Sequence, residues 1–252
     1  MIVLLSPAKS LDYESNLPEM HDTQPRFQEE SAQLISKLRG LSKKKLSSLM
    51  NLSKDLTELN ALRYQEWEAD FTDGASRPAA YAFTGEVYRG MDASKWNEGD
   101  RVFAQEHVRI LSGLHGVLRP LDRIRPYRLE MGIKLPVRRK KNLYDFWQDK
   151  LTATLKEELE ESSSKVVVNL ASNEYAKAVK LDQLDAKVIT PVFKDRKGDD
   201  LKVVMMYAKH ARGEMASYIV KNKITDPEDL KGFESYTFSP KHSNDSEWIF
   251  IR

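Results

Sequence analysis

Apolar residues follow two patterns along this chain: short uninterrupted runs, and longer stretches in which they recur every three or four residues. Ile2–Leu5 and Val166–Leu170 are short runs of the kind that forms strands buried on both faces. Helical spacing occurs from Phe27 to Gly40 and from Tyr144 to Leu159. This mixture predicts an α/β (mixed α+β) fold, in which a single domain has a central mixed sheet flanked by helices.

The same pattern predicts further elements. The helical spacing of Phe103, His107 and Leu114 predicts one helix over 96–114, with His107 on its apolar side. Strands are predicted at 81–83, at 187–193 and 201–207 joined across a turn at 196–199, and in a closing hairpin of 236–238 with 248–251. A short polar link is predicted at 162–164.

Residues 42–66 predict a helix-hairpin-helix element. Two sets of apolar residues mark two short helices: Leu46, Leu49 and Met50 for the first, and Leu56, Leu59 and Leu62 for the second. In such an element the turn amides and the second helix's N-terminus face a DNA phosphate. Asn51 and Ser53 stand where glycine is usual, but Asn tolerates left-handed backbone and Ser can cap the second helix.

The hairpin also carries positive charge, in Lys43, Lys44, Lys45 and Lys54. These side chains would add electrostatic attraction to a phosphate backbone. The alternative interpretation is two packed helices with a solvated lysine face. The sequence favours neither interpretation over the other.

Composition excludes several classes of site. None of the 252 residues is cysteine, which excludes disulfides, thiolate zinc sites and iron–sulfur clusters. No segment approaches the roughly 20 apolar residues of a membrane span, so we expect a cytoplasmic protein with no membrane partner. We also expect a monomer. We expect no cofactor and no metal site, because the five histidines are scattered: His21, His107, His115, His210 and His242.

Positive charge is concentrated in residues 119–141. This segment holds nine Lys and Arg against two acidic residues, a net charge of +7, whereas the whole chain has only +2. Arg123, Arg125 and Arg128 are interleaved with Pro126 and Tyr127, a pattern that favours convergence of several guanidinium groups on a phosphate. We therefore expect them to form a basic wall. Glu130, in the same run, either orients an arginine or acts as an acid/base group.

Polar or basic groups follow several predicted strands directly. Lys9 follows the first strand, Ser172–Glu174 follows Val166–Leu170, and Lys209 and Arg212 follow the strand predicted at 201–207. Strand ends line one crevice in an open α/β sheet, so Lys9, Lys209 and Arg212 are candidate anion-binding residues. Gly113 and Gly116 are interpreted separately, as a close packing corner.

Six ordered segments resemble the YaaA peroxide-stress-protein family: SPAKSLD (6–12), SGLHGVLRPLD (112–122), PYRLEMG (126–132), NLYDFW (142–147), NLASNEY (169–175) and YAKHARG (207–213). They span nearly the whole chain. The resemblance implies a cytosolic protein that limits peroxide damage by lowering unincorporated intracellular iron. It also implies DNA binding through a helix-hairpin-helix element and a positively charged cleft. His115 departs from the family, which commonly has Tyr there, and no catalytic residues come with the resemblance.

Two functional hypotheses follow. In the first, the protein binds duplex or distorted, branched DNA without sequence specificity. The phosphate contacts would come from Lys43, Lys44, Lys45, Asn51, Ser53, Lys54, Arg123, Arg125 and Arg128. In the second, it is an enzyme acting on a phosphorylated small molecule or nucleotide. Lys9, Arg128, Lys209 and Arg212 would then hold the anion, with Glu130 or Glu174 as acid/base.

Overall fold

The structure, a computed structural model, describes residues 1–72, 74–162 and 164–252. The predicted link at 162–164 includes residue 163, which lies outside the described residues. The helices are α1 (Gln28–Arg39), α2 (Lys43–Met50), α3 (Lys54–Glu66), α4 (Ala79–Ala82), α5 (Glu86–Met91), α6 (Glu98–His107), α7 (Leu143–Glu161), α8 (Asn173–Ala176) and α9 (Met205–Lys221). Within the described part of the chain, no helix is long and apolar enough to cross a bilayer.

The strands are β1 (Ile2–Leu5), β2 (Ser10–Leu11), β3 (Arg77–Pro78), β4 (Phe83–Thr84), β5 (Val108–Ser112), β6 (Gly116–Leu118), β7 (Arg123–Ile124), β8 (Val166–Asn169), β9 (Lys187–Lys197), β10 (Asp200–Lys202), β11 (Thr237–Phe238) and β12 (Glu247–Ile251). Eight of them form one sheet in the order β11-β12-β9-β8-β1-β5-β6, with β10 paired to β9. The mixed sheet flanked by helices confirms the predicted α/β fold class.

Strand β1 lies near the middle of this sheet, parallel to β5 on one side and to β8 on the other. All four of its residues are buried, as the uninterrupted apolar run predicts. The chain leaves β1 towards β5 and returns later on the opposite side as β8, so strand order reverses at β1. The carboxyl ends of β1, β5 and β8 therefore border the position where open α/β sheets bind ligands.

One predicted helix is in fact a helix followed by a strand. Helix α6 ends at His107 and β5 begins at Val108, so the helix predicted over 96–114 is wrong in its second half. All five residues of β5 are buried, and a run buried on both faces does not alternate, so periodicity cannot separate strand from helix. Arg109, inside this strand, is held by Glu158 at 2.9 Å.

Two other strand predictions are also wrong. Of the strand predicted at 201–207, only residues 201 and 202 are extended, as part of β10, and α9 begins at Met205. Of the strand predicted at 81–83, residues 81 and 82 belong to the turn of helix α4. The pairing of β9 with the following strand and the closing hairpin of β11 with β12 are confirmed.

Helix α3 has the predicted position, but the face that it buries is opposite to the predicted one. Its leucines face solvent, with Leu56 39% exposed, Leu59 42% and Leu62 54%. The buried face instead contains Thr57, Asn60 and Tyr64, and their polar atoms have partners. The Asn60 amide, for example, donates to a main-chain carbonyl one turn earlier at 2.7 Å. Leucine spacing alone therefore assigned the wrong face to the core.

Candidate functional site

Helices α2 and α3 are joined by the short turn Asn51–Leu52–Ser53. Asn51 adopts the left-handed conformation, with φ 49° and ψ 56°, and its N–H donates to the Ser47 carbonyl. Leu52 is buried and anchors the turn in the core. The Ser53 hydroxyl accepts from the Leu56 N–H at 3.3 Å and caps α3. The backbone roles predicted for Asn51 and Ser53 are thus confirmed, whereas their contact with DNA stays a prediction.

The four lysines of the hairpin, Lys43, Lys44, Lys45 and Lys54, are all exposed. Lys43 Nζ lies 3.9 Å from Glu58 Oε1, and an exposed ion pair this long does little to neutralise the lysine charge. Asp55, in the first turn of α3, places a negative charge beside the turn. The hairpin surface is therefore basic around α2 and mixed at the start of α3.

A second basic segment lies beside the hairpin. Arg138, Arg139, Lys140 and Lys141 are exposed, and a tight turn pairs Val137 with Lys140. Val137 and Arg138 line one surface depression together with Lys37, Gly40 and Leu41, at the end of α1. Because Leu41 leads directly into α2, the basic turn and the hairpin lysines belong to one stretch of surface.

Arg123 and Arg125 are engaged inside the protein. Arg123 donates to the Ser76 hydroxyl at 2.7 Å and pairs with Asp22. Arg125, whose side chain is 8% exposed, donates twice to the Asp70 carbonyl, at 2.9 and 3.1 Å. Both arginines join loops that are distant in sequence. Their contact with DNA remains a prediction, but their guanidinium groups have structural partners.

Arg128, Glu130 and Lys9 form a compact ionic group, here called the strand-end cluster. Oε1 of Glu130 accepts from Arg128 Nη2 at 3.1 Å and lies 3.2 Å from Lys9 Nζ. Oε2 of Glu130 is buried and contacts no hydrogen-bond donor among the described residues. Leaving such an oxygen unpaired costs about 1–3 kcal/mol. Glu130 therefore does orient an arginine through Oε1, whereas its Oε2 accepts no hydrogen bond from the described residues.

Hydroxyl groups lie at the ends of the three central strands. After β1, the Ser6 hydroxyl accepts from the Ser172 N–H at 2.8 Å and lies 3.2 Å from the Ser172 hydroxyl, which follows β8. At the end of β5, the Ser112 and Tyr127 hydroxyls are 2.6 Å apart. Burial, and to a lesser extent the charge of Glu130, raise the pKa of Tyr127. The ends of the three central strands thus carry polar groups, as the sequence predicts, whereas the crevice itself stays a prediction.

The remaining predicted site residues lie outside the strand-end cluster. Glu174 accepts from the Gly132 N–H at 2.9 Å and fixes the loop after Glu130. Lys209 and Arg212 are inside α9, so the strand-to-helix corner predicted for them is wrong. Burial lowers the pKa of Arg212. No hydrogen bond or ion pair within the described ranges joins either residue to the strand-end cluster.

The glycine corner between β5 and β6 is confirmed. A Cβ atom on Gly113 would overlap the Leu129 carbonyl, and one on Gly116, where φ is 69°, would lie 2.7 Å from the Trp147 ring. Trp147 Nε1 donates to the Gly113 carbonyl at 2.9 Å. The corner therefore holds both α7 and the loop of the strand-end cluster against the sheet.

Comparison with known proteins places this geometry in a family. The family model described as "Peroxide stress protein YaaA" matches residues 1–243. The chain belongs to the YaaA peroxide stress protein family. This YaaA-family chain is 49% identical to the UPF0246 protein of Idiomarina loihiensis over 254 aligned residues, covering 100% of the chain and 98% of that relative. It is 48% identical to UPF0246 proteins of Saccharophagus degradans and Burkholderia lata, covering 100% of the chain and 99% and 98% of them.

In this YaaA-family chain, His115 is a core residue. It is fully buried, its Nδ1 lies 3.0 Å from the Ser31 hydroxyl, and its Nε2 has no partner in the described part of the chain. Burial lowers the pKa of His115 to about 3, so the ring is neutral. No group of three or more His, Asp or Glu residues suited to a metal ion occurs among the described residues.

Few features of the sequence of this YaaA-family chain indicate the hydroxyl contacts at the ends of β1, β5 and β8. Ser6 belongs to a segment that carried the family resemblance, yet nothing around it indicates a polar contact with a residue 166 positions away. Tyr64, spaced like a core aromatic, donates from its hydroxyl to the Arg128 carbonyl. Such contacts depend on the tertiary fold and leave no local pattern.

Proposed function

We propose that this protein binds DNA, without sequence specificity, through the hairpin of α2 and α3 as part of the peroxide stress response. The observation that carries the proposal is the turn Asn51–Ser53, in which a left-handed residue, a buried anchor and a helix cap succeed one another. This backbone path directs the first amides of α3 towards solvent. Amides at a helix N-terminus attract anions such as the DNA phosphate.

Free amides are available at this helix start. The N–H groups of Asn51 and Leu52 donate to the Ser47 carbonyl, and that of Leu56 donates to Ser53. No hydrogen bond within the described residues uses the N–H groups of Ser53, Lys54 and Asp55. Since the first N–H groups of a helix lack partners inside the helix, these three are free to meet a phosphate oxygen.

The positive charge near the hairpin also supports DNA binding at this surface. Lys54 adjoins the turn, whereas Lys43, Lys44 and Lys45 lie in the first turn of α2, at its other end. All four are exposed, and the exposed basic segment 138–141 extends the positive surface past the end of α1. Neutralising several phosphates releases counterions and gives affinity that falls steeply with salt. We propose that Arg123 and Arg125 contribute mainly by holding loops, since each already has a partner inside the protein, and that Arg128, which is paired with Glu130, adds little to DNA affinity.

The experiment is a fluorescence anisotropy titration of labelled duplex, branched and single-stranded DNA between 50 and 200 mM salt, about the range over which phosphate-dominated binding changes most. The triple variant Lys43→Glu, Lys44→Glu, Lys45→Glu is expected to lose affinity by at least about tenfold and to show a shallower salt slope. An affinity that does not depend on salt would contradict the proposal.

A matched control reverses three charges at the other end of the sheet. Arg196, Lys197 and Lys241 are exposed and lie on or near the β9, β10 and β11 edge, away from the hairpin. The variant Arg196→Glu, Lys197→Glu, Lys241→Glu changes net charge by the same amount and is expected to retain most DNA affinity. Equal losses in the two triple variants would mean that net charge, and not the hairpin, determines binding.

The family membership supports a wider proposal, that the protein acts in the cytoplasm as a monomer and lowers unincorporated iron during peroxide exposure. A strain lacking the protein is expected to hold more iron detectable by electron paramagnetic resonance after chelation. Complementation with the Lys43–Lys45 charge-reversal variant would separate this effect from DNA binding. Unchanged iron in the deletion strain would contradict the proposal.

A further inference from the structure

Glu130 presents an unsatisfied acceptor at the ligand-binding edge of the sheet. Its Oε2 is the only carboxylate oxygen among the buried, unpartnered side-chain atoms of the described residues. Its Oε1, by contrast, holds two cations, Arg128 at 3.1 Å and Lys9 at 3.2 Å. A carboxylate that only oriented an arginine would face solvent or a donor with its second oxygen.

We propose that the strand-end cluster of Lys9, Arg128 and Glu130 is a binding site for a small phosphorylated compound that carries a hydroxyl or amino group near its phosphate. The phosphate would bind Lys9 and Arg128, and the neighbouring donor would bind Oε2 of Glu130. This site is separate from the DNA surface proposed on α2 and α3.

The charges of the cluster fit an anion. Arg128 offers a planar fork of N–H donors, which matches a phosphate, and Lys9 offers a movable point charge. Arg63, on α3, lies close enough for its charge to interact with that of Arg128. The two cations of the cluster, Lys9 and Arg128, outnumber its one carboxylate, Glu130, so the cluster carries a net positive charge before a ligand binds.

Access to the cluster fits a small molecule. The side chains of Arg128 and Glu130 are only 16% and 13% exposed, whereas that of Lys9 is 64% exposed. Within the described residues Lys9 has no ion pair other than that with Glu130, so its ammonium can shift to a ligand at small cost. A compact free phosphate ester can reach two side chains this poorly exposed more easily than the backbone of an intact duplex can.

The hydroxyls at the strand ends offer further hydrogen bonds. The half-buried hydroxyls of Ser6 and Ser172 contact each other after β1 and β8, and in the chain they shortly precede Lys9 and Glu174. Buried Tyr64, Tyr127 and Tyr175 lie near enough to Glu130 for its charge to contribute to their raised pKa values. A carboxylate, hydroxyls and cations at a point where strand order reverses make an arrangement suited to a polar organic anion.

The test is isothermal titration calorimetry of the full chain with ribose 5-phosphate, AMP and sulfate. At least one phosphate ester is expected to bind, and Lys9→Met is expected to weaken that binding by tenfold or more. Lys177→Met removes an exposed lysine just after α8 and is expected to leave binding unchanged. No binding of either ester at millimolar concentration, or equal losses in both lysine variants, would overturn the proposal.

Glu130→Gln tests the role of the carboxylate. Removing its negative charge leaves Lys9 and Arg128 free for any anion, so sulfate, which has no donor at neutral pH, is expected to bind more tightly. The ester loses its charged acceptor, so the ratio of ester to sulfate affinity is expected to fall at least fivefold. An unchanged ratio in a variant with a native circular dichroism spectrum would overturn the proposal. The Lys43–Lys45 charge-reversal variant should bind the ester normally, which keeps this outcome independent of DNA binding.

Discussion

Gly113 lies directly against the Leu129 main chain, so that a Cβ atom at position 113 would overlap the Leu129 carbonyl oxygen. This contact joins the carboxyl end of β5 to the loop that carries Arg128 and Glu130. One residue before Leu129, the Arg128 carbonyl accepts from the Tyr64 hydroxyl. Contacts to the main chain of Arg128 and of Leu129 thus position the loop that carries Arg128 and Glu130, independently of the ion pairs of the cluster.

Gly113→Ala should therefore destabilise the protein and displace the cluster. Forcing extra volume into a packed site costs about 1–3 kcal/mol, which we expect as a decrease in the free energy of unfolding measured with urea. Gly99→Ala is the control, because Gly99 is exposed near the start of α6 and its added Cβ would have only ordinary contacts. It should leave stability unchanged or raise it by up to about 1 kcal/mol. Equal stability of the two variants would show that the Gly113 contact can relax freely.

Asp55→Asn should strengthen DNA binding. Asp55 lies in the first turn of α3, where its charge repels a phosphate that approaches the same helix end. Two like charges a few ångströms apart in water repel by about 1 kcal/mol, equivalent to about fivefold in affinity. Anisotropy titrations at low salt should show this gain, and high salt should diminish it. Glu66→Gln removes the same charge at the opposite end of α3 and should have little effect.

His115 should make stability dependent on pH below neutrality. Burial lowers its pKa from 6.5 to about 3 in the folded protein, so between these values the unfolded chain binds a proton that the folded protein does not. Stability is therefore lost as the pH falls below about 6.5, by about 2 kcal/mol between pH 7 and 5. Urea unfolding of His115→Phe should lack this component. A parallel pH dependence in wild type and variant would assign the effect to other groups.

Substitutions on the two faces of α3 should change the free energy of unfolding by different amounts. Leu59→Gln alters a side chain that is 42% exposed and should change the free energy of unfolding by less than about 0.5 kcal/mol. Tyr64→Phe removes the hydroxyl that donates to the part-buried Arg128 carbonyl and should cost about 1 kcal/mol. Thermal or urea unfolding distinguishes the two. A larger loss from Leu59→Gln would mean that the leucine face is covered in solution.

Local sequence patterns predicted the elements whose burial is regular. Strand β1 and helix α1 were recognisable because each has one kind of apolar pattern from end to end. The start of β5 was missed because buried Arg109 stands inside an apolar run, and only the distant Glu158 explains it. The start of α9 was missed because Met205 and Met206 are exposed and show no helical stripe.

In the candidate site, too, local features could be predicted from the sequence and contacts between distant residues could not. Asn51 and Ser53 act within their own turn, so residue chemistry was enough to predict their conformations. The partners of Arg123 and Arg125, in contrast, come from loops about 50 to 100 residues away. The arginines that are close together in the sequence therefore predicted more exposed positive charge than the folded protein presents to a phosphate.

The central position of β1 also affects how the chain must fold. Its neighbours begin at Val108 and Val166, so β1 is synthesised about 100 residues before the first strand that can pair with either of its edges. At a translation rate of about 20 residues per second, β1 waits about 5 s for its first neighbour. During that time an apolar segment with two open edges is available to other chains, and refolding requires closure of two loops of more than 100 residues.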